Sequence, residues 1–247
     1  MLATQLKYDL LMFSREIFYL VFAIVIPPIT YIFMGLLYGE MTYDHGLNYA
    51  QSYTPSFILL ITFTVVFFAF GFDQVTHRTT GVEKRIRLSP VPKNILLTSS
   101  ILRAIIITTI GYLMIFGIGF VMYDLSFDLM NVLASYGFFI LMNVALLIMA
   151  SAIYSFFKNM NSALVFSIVI MQVVIFTGGF AQPINLMPKF VQVIAELNPL
   201  YHMNNMFKAV WNGQLSLSNE ALISLSYIGG VLIVSILVIR FMHKRKI

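Results

Sequence analysis

Charged residues are scarce in this sequence, and cysteine is absent. Only 10% of the 247 residues are charged and 60% are hydrophobic, whereas a water-soluble domain carries roughly 25% charged residues to keep its exterior wettable. A chain with so few charges cannot cover a globule of its own size, so the composition predicts an integral membrane protein. The lack of cysteine excludes a disulfide framework, a thiolate metal site and a cysteine nucleophile.

Ionisable side chains are also missing from the cores of the longest apolar stretches. Proton- and ion-coupled carriers place Asp, Glu, Lys, Arg or His inside the membrane, and these cores contain none of them. Their main strong polar side chains are Asn143 and Gln172, which we expect to join neighbouring helices by hydrogen bonds. The phosphate loop Gly-x-x-x-x-Gly-Lys-Ser/Thr is absent as well. The sequence therefore predicts a protein that is not an enzyme and that holds no cofactor or metal of its own.

Six apolar stretches meet or approach the length needed to cross a bilayer. A crossing helix needs about 20 mainly apolar residues to cover a hydrocarbon core of roughly 30 Å. The predicted fold class is an all-α integral membrane protein that forms a single transmembrane domain over residues 1–247. The six transmembrane helices are expected at about residues 17–37, 56–72, 97–123, 132–157, 162–181 and 221–240.

The basic residues divide unevenly between the two sides of these spans. Lys and Arg near span ends collect on the cytoplasmic side, and with six spans both termini share one side. Thirteen of the 15 basic residues fall on the side of the termini, and Lys189 and Lys208 fall on the other. The sequence thus predicts a multi-pass protein of the cell membrane with both termini in the cytoplasm.

An amphipathic segment precedes the first span. Its apolar residues recur every three or four positions, which places them on one helical face. They are Leu2, Leu6, Leu10, Phe13 and Ile17. We expect residues 1–16 to form an interfacial helix along the inner membrane surface.

A short helix is predicted in the long cytoplasmic loop at residues 73–93. Thr80 and Glu83 fit a capping box, and two prolines farther along would end the helix, because proline disfavours helical geometry in the residue before it. Such a cationic helix could contact a soluble partner, or its charges could only fix the topology and touch lipid headgroups. The spacing favours neither alternative. The candidate site residues are Gly81, Val82, Glu83, Lys84, Arg85, Ile86, Arg87 and Leu88.

The segment at residues 182–218, between the fifth and sixth spans, is too polar to cross the membrane. An apolar stripe of about ten residues between Pro188 and Leu197 suits a re-entrant or interfacial helix. Gly178 and Gly179 would break the end of the fifth span, and Asn198 with the proline that follows marks the next turn.

Four motif segments on this six-span frame belong together. Residues 81–90 read Gly-Val-Glu-Lys-Arg-Ile-Arg-Leu-Ser-Pro, which is similar to a Gly-x-x-Glu-x-x-Arg-x-(small)-Pro segment. Farther along, Gly178–Pro183, Leu186–Pro188 and Leu197–Leu200 look like a Gly-x-x-x-Pro, Leu-Pro and Asn-Pro-Leu series. In this order, and over nearly the whole chain, they resemble the membrane (permease) subunit of the type-2 ATP-binding-cassette exporters.

The resemblance implies an architecture and a set of partners. It implies a coupling helix at residues 81–88 and two short re-entrant outer helices between the fifth and sixth spans. The partners would be two copies of a cytoplasmic ATPase subunit, which bind ATP and Mg, and a second permease subunit in a homo- or heterodimer. Membrane lipid would surround the complex, and no nucleic acid is expected.

The resemblance also implies a class of cargo. The chain would move an amphiphilic drug, an antimicrobial peptide or a lipid-like molecule out of the cytoplasm, with the ATPase supplying the energy. A permease for lipid-linked polysaccharide is the alternative, which the lack of a Trp or Tyr stripe within the spans disfavours modestly. The single tryptophan, Trp211, is expected on the outer side. An ATP-independent channel or scaffold is a further alternative.

Overall fold

Helices make up the fold of this chain. The computed structural model describes residues 1–16, 20–41, 43, 46–82, 85, 88, 92–126, 128–180, 182–215 and 218–244. Within these residues the regular secondary structure is helical and no strand occurs, as the all-α fold class predicts. Ile17 of the amphipathic stripe and Ala181 of the predicted fifth span lie outside the described residues.

The described residues form nine longer helices, besides a 3-10 turn at Ile184–Leu186. In chain order they are α1 (Leu2–Arg15), α2 (Val21–Tyr38), α3 (Tyr49–Thr79), α4 (Lys93–Met122), α5 (Leu129–Tyr154), α6 (Met160–Thr177), α7 (Lys189–Glu196), α8 (Pro199–Trp211) and α9 (Asn219–Lys244). Within the described residues, α2 to α6 and α9 are each long and apolar enough to cross a membrane. This confirms the predicted number of crossing helices. We call the end of the bundle that holds α1 the proximal end, and the end that holds α7 and α8 the distal end.

Helix α3 is the centre of the bundle. It packs against α2, α4, α5 and α8, and the rings of Phe57, Phe63 and Phe67 are all buried. The sequence indicated a loop from Asp73 onward, but the helix continues to Thr79. The loop is shorter than expected because polar side chains of residues 73–79 bond to neighbouring helices. Asp73 pairs with α4, and Gln74 and Arg78 bond to α5 or its end, so these residues are accommodated within the helix.

Helix α2 changes its hydrogen-bond register before the proline pair. Pro27 and Pro28 predict a kink, since proline has no N–H to donate. The stretch Val21–Val25 is a π-helical turn, in which the Ile26 N–H bonds to the Val21 carbonyl. A second π-helical stretch, Val65–Phe70 in α3, packs against the first.

Tyrosine rings cluster where α2, α3 and α4 meet at the distal end. The ring centroids of Tyr31 and Tyr49 lie 5.3 Å apart, as do those of Tyr49 and Tyr53. Tyr123 contacts Tyr31 and Tyr49 edge-on. The Tyr49 hydroxyl donates to the Tyr31 carbonyl at 2.9 Å. The sequence shows no tyrosine stripe within a span because these rings come from α2, from the start of α3 and from the residue after α4.

Helix α8 lies against the bundle with one face buried. Trp211, expected on the outer side, is 7% exposed and packs against Tyr112 and Phe116 of α4. His202 is buried in the same helix. Its Nε2 donates to the Glu196 carbonyl at 2.8 Å, since a carbonyl can only accept.

The end of α6 turns back toward α7 and α8. The helix stops at Thr177, and Gly179 has a φ of +70°, which is a backbone conformation that favours glycine. The Asn204 amide donates to the carbonyls of Gly178 and Gly179 at 2.8 and 3.2 Å. The predicted break at the two glycines is therefore present. The depth of α7 and α8 in a bilayer, and so their re-entrant character, stays a prediction.

Two polar side chains of the crossing helices have different environments. Asn143 of α5 is fully buried, accepts a hydrogen bond from Thr108 of α4 at 2.9 Å and donates to the Phe139 carbonyl. This confirms that Asn143 joins neighbouring helices. Gln172 is exposed on α6.

Candidate coupling site at the proximal end

Helix α1 packs along the beginning of α4. Phe13 is buried and Leu10 packs against the core, so the predicted apolar face does turn toward the bundle. The Asp9 carboxylate lies on the same face, where it accepts hydrogen bonds from Ser99 of α4 at 2.5 Å and from Gln5 at 2.8 Å. A polar contact therefore fixes the position of α1 along α4.

A cluster of charged groups lies where α1, α3 and α4 meet. Arg103 of α4 donates to the carboxylate of Asp73 of α3, and their side chains are 11% and 31% exposed. Burial raises the pKa of the nearby Glu16 carboxyl, the negative charge of Asp73 raises it further, and Arg103 opposes the rise. No sequence pattern indicates this cluster, because Asp73 is expected in the loop at residues 73–93 and Arg103 carries no motif.

Arg78 connects the end of α3 to the end of α5. Its guanidinium donates to the carbonyls of Tyr154 and Ser155, the latter at 3.0 Å, and to the Gln74 carbonyl in its own helix at 2.9 Å. The last carbonyls of a helix have no partner within it, and a cation there is favourable. The Gln74 amide adds a hydrogen bond to Ser151 of α5 at 2.9 Å.

The predicted coupling segment begins three residues after Arg78. Gly81 has a φ of +74°, which lets the chain leave α3 and start a new turn. Val82, Arg85 and Leu88 have helical backbone, and the Arg85 N–H bonds to the Gly81 carbonyl at 3.2 Å. Of the eight candidate residues, these four are described; the remaining candidates, which lie outside the described residues, are Glu83, Lys84, Ile86 and Arg87.

Neither contact of the predicted capping box falls within the described residues, because both involve Glu83. The Thr80 hydroxyl donates to the Thr76 carbonyl at 2.7 Å, so Thr80 completes the end of α3. The reciprocal contact from Glu83 stays a prediction, because Glu83 is outside the described residues.

The described part of the coupling segment presents a cation and a large apolar side chain outward. Arg85 is exposed, and Leu88 is 89% exposed. A partner surface that displaced this segment would act on Gly81 and Arg78, and through Arg78 on both α3 and α5. Among the described residues, no group of three or more His, Asp or Glu side chains could hold a metal ion.

Comparison with known proteins shows the family to which this chain belongs. Residues 2–211 match the ABC-2 type transporter family. The chain is 23% identical over 176 residues to proteins described as "Probable multidrug ABC transporter permease YbhR" from Escherichia coli strain K12 and from Escherichia coli O157:H7. The match covers 71% of this chain and 47% of each relative, so the chain spans about half the length of the curated relatives it matches. As the order of its motifs indicates, the chain belongs to the ABC-2 type transporter family.

Proposed function

We propose that this chain is the transmembrane permease subunit of an ABC exporter, which moves an amphiphilic substrate out of the cytoplasm. A separate ATPase subunit binds ATP and Mg and supplies the energy, and two permease subunits form the pathway. Membership of the ABC-2 family supports a transport subunit over an enzyme. The missing phosphate loop agrees with this, since residues 1–247 then have no such nucleotide site of their own.

The observation that carries the proposal is the contact of Arg78 with the end of α5. The coupling segment leaves α3 at Gly81, and Arg78 lies less than one helical turn earlier. Its hydrogen bonds to the Tyr154 and Ser155 carbonyls join two crossing helices at that point. Displacement of the segment by a closing ATPase would therefore move α3 and α5 together.

The proposal requires the proximal end to face the cytoplasm. Cysteine scanning is straightforward because the native chain has no cysteine. In Arg85→Cys the new thiol should react with a membrane-impermeant maleimide in inverted vesicles and be protected in intact cells. The variant Lys189→Cys in α7 should behave in the opposite way. Labelling of Arg85→Cys from outside would overturn the proposed topology.

The proposal also requires a specific ATPase partner. Affinity purification of the tagged chain from its native membrane should recover an ABC ATPase in equal number. The charge reversal Arg85→Glu with Arg87→Glu should weaken this recovery or abolish transport, while the level of inserted protein stays unchanged because many other basic residues fix the topology. Full transport by an inserted double variant would exclude the coupling role, and transport by the chain alone without ATP would favour a channel.

Two classes of cargo are compatible with the proposal. An amphiphilic drug or peptide is the first, and the multidrug description of the Escherichia coli relatives supports it. A lipid-linked polysaccharide is the second, because the tyrosines Tyr43, Tyr53 and Tyr201 line a polar cavity at the distal end. Transport of a fluorescent cationic amphiphile into inverted vesicles, against transport of a labelled lipid-linked sugar, distinguishes them.

A further inference from the structure

A large polar cavity opens at the distal end of the bundle. Its volume is about 870 Å³, within the range of roughly 300–1,000 Å³ that is usual for ligand sites. The lining comes from the segments before α3 and α9, the first turns of these two helices, the turn after α6, and helix α8. Because crossing helices begin and end there, we expect the cavity at the level where lipid headgroups meet the apolar core.

One face of α8 lines this cavity. Tyr201, Asn205, Lys208 and Asn212 follow one another at spacings of four, three and four residues and all line it, which is the spacing of a single helical face. The opposite face, which includes Phe207, is buried against the bundle. The polar face of α8 therefore borders the cavity, and Lys208 and Asn212 on this face also contact α3.

Lys208 supplies the positive charge of the cavity. It is the only basic side chain among the described lining residues. Its Nζ lies 5.0 Å from the ring centroid of Tyr53 of α3, a cation–π contact that holds the ammonium group in place. Lys189, the other lysine between α6 and α9, is exposed on α7 and does not line the cavity.

Amide groups supply most of the remaining polarity. Asn185, Asn205 and Gln214 line the cavity with exposed side chains. Asn212 is already engaged, because it donates to the Gln51 carbonyl at 3.3 Å and to the Lys208 carbonyl at 3.0 Å. An amide offers donors and an acceptor together, which matches hydroxyl groups that also donate and accept. The carboxylate of Glu220 at the start of α9 adds acceptors for hydroxyl donors.

We propose that this cavity binds a headgroup that carries one phosphodiester anion and free hydroxyl groups. Lys208 would bind the phosphodiester, and the amides with Glu220 would bind the hydroxyls. Lys208 is one cation in a lining that also holds the Glu220 carboxylate, so the cavity suits at most one anionic group and would repel a polyanion. The glycerophosphoglycerol headgroup has this chemistry, either as part of phosphatidylglycerol in the bilayer or as a free diester. Binding needs no ATPase, so its failure would leave the proposed transport function untouched.

The single tryptophan provides a reporter for this site. Trp211 lies directly before Asn212 and is the only tryptophan of the chain. The detergent-solubilised full chain is titrated with glycerophosphoglycerol while Trp211 fluorescence is recorded, and the chain is also placed in nanodiscs of phosphatidylcholine with increasing phosphatidylglycerol. Native mass spectrometry counts the phosphatidylglycerol molecules retained by the delipidated chain. The variants are Lys208→Gln, the charge-preserving Lys208→Arg, and Lys189→Gln as the matched control.

The proposal predicts saturable binding by at least one of the two readouts. Affinity should fall about tenfold in Lys208→Gln, because a charge-assisted hydrogen bond is lost, and should stay near the native value in Lys208→Arg and Lys189→Gln. Binding in nanodiscs alone would identify the lipid as the source, and equal binding of the soluble diester would identify the free compound. Absence of binding in both readouts, or equal losses in Lys208→Gln and Lys189→Gln, would overturn the proposal.

Discussion

The Thr64 hydroxyl of α3 lies 3.1 Å from the Ala23 carbonyl of α2, to which it donates a hydrogen bond that it shares with the Ile61 carbonyl. In an α-helix the Ala23 carbonyl would bond to the N–H of Pro27, and in a π-helix to that of Pro28. Neither proline has an N–H. The proline pair therefore leaves the Ala23 carbonyl without a partner in its own helix, and Thr64 supplies one from α3.

Replacing Thr64 tests this contact. In Thr64→Val the side chain keeps its shape but loses the hydroxyl, so the Ala23 carbonyl is left unsatisfied in an apolar environment. We expect a loss of about 1 kcal/mol in the free energy of unfolding, since hydrogen bonds between membrane helices contribute modestly. The loss should appear in SDS titrations followed by circular dichroism. Thr64→Ser keeps the hydroxyl and should lose less; equal stability of Thr64→Val and the native chain would show that the hydrogen bond is unimportant.

Removing one partner of the Asp73–Arg103 pair should lower the free energy of unfolding. Arg103→Leu removes one partner and leaves the Asp73 carboxylate partly buried without its guanidinium. The expected cost is about 2–3 kcal/mol, below the range for fully buried pairs because the Asp73 side chain is 31% exposed. The double variant Asp73→Leu with Arg103→Leu should recover most of this stability. Additive losses in the double variant, measured by the same SDS titration, would contradict a direct interaction.

Glu16 should make the stability of the proximal end depend on pH. Its raised pKa means that the folded state favours the protonated carboxyl. The stabilisation is therefore complete below the ordinary pKa of 4.5 and is lost as the pH rises through the raised value. Glu16→Gln, which stays neutral, should unfold at a higher temperature than the native chain at pH 8, and the difference should vanish near pH 4. The exposed Glu196→Gln is the control, and a less stable Glu16→Gln at pH 8 would contradict the cause given for the shift.

Much of the fold can be predicted from the sequence because hydrophobic length alone identifies crossing helices. The apolar face of α1 and the break at Gly178 and Gly179 also follow from local pattern. The end of α3 could not be predicted, because a charge in a single sequence reads as a helix end unless its partner is known. Asp73 accepts a hydrogen bond from Arg103, 30 positions away, and Arg78 donates to the Tyr154 carbonyl at the end of α5, 76 positions away.

The site was predicted in outline only. The motif around Gly81 predicts the proposed coupling segment, since such a pattern is local. The contacts that connect this segment to the bundle depend on Arg78, which carries no motif. The distal cavity was missed for the same reason: Tyr53, Lys208 and Glu220 come from three helices, and their proximity exists only in the folded chain.

The conformation of Gly81 makes a further prediction. With a φ of +74° and no neighbouring atom within 4 Å of an added Cβ, Gly81→Ala would suffer backbone strain alone, of about 1 kcal/mol. We expect weaker stimulation of ATP hydrolysis by substrate in the reconstituted complex, because the start of the coupling segment is displaced. Gly137→Ala in α5, also with open space around it, should be neutral or slightly stabilising. Unchanged stimulation in Gly81→Ala would argue against a precise start of the segment.

The transport coupled to ATP hydrolysis in an Arg78→Met complex tests the account most directly. Proteoliposomes containing the chain and its ATPase give both rates in one preparation, and Arg240→Met, an exposed arginine at the proximal end of α9, is the matched control. Loss of the hydrogen bonds to Tyr154 and Ser155 should leave assembly and basal hydrolysis intact while transport per ATP falls severalfold. Transport per ATP equal to that of the native complex and of Arg240→Met would contradict the central claim that Arg78 carries the motion of the coupling segment into α3 and α5.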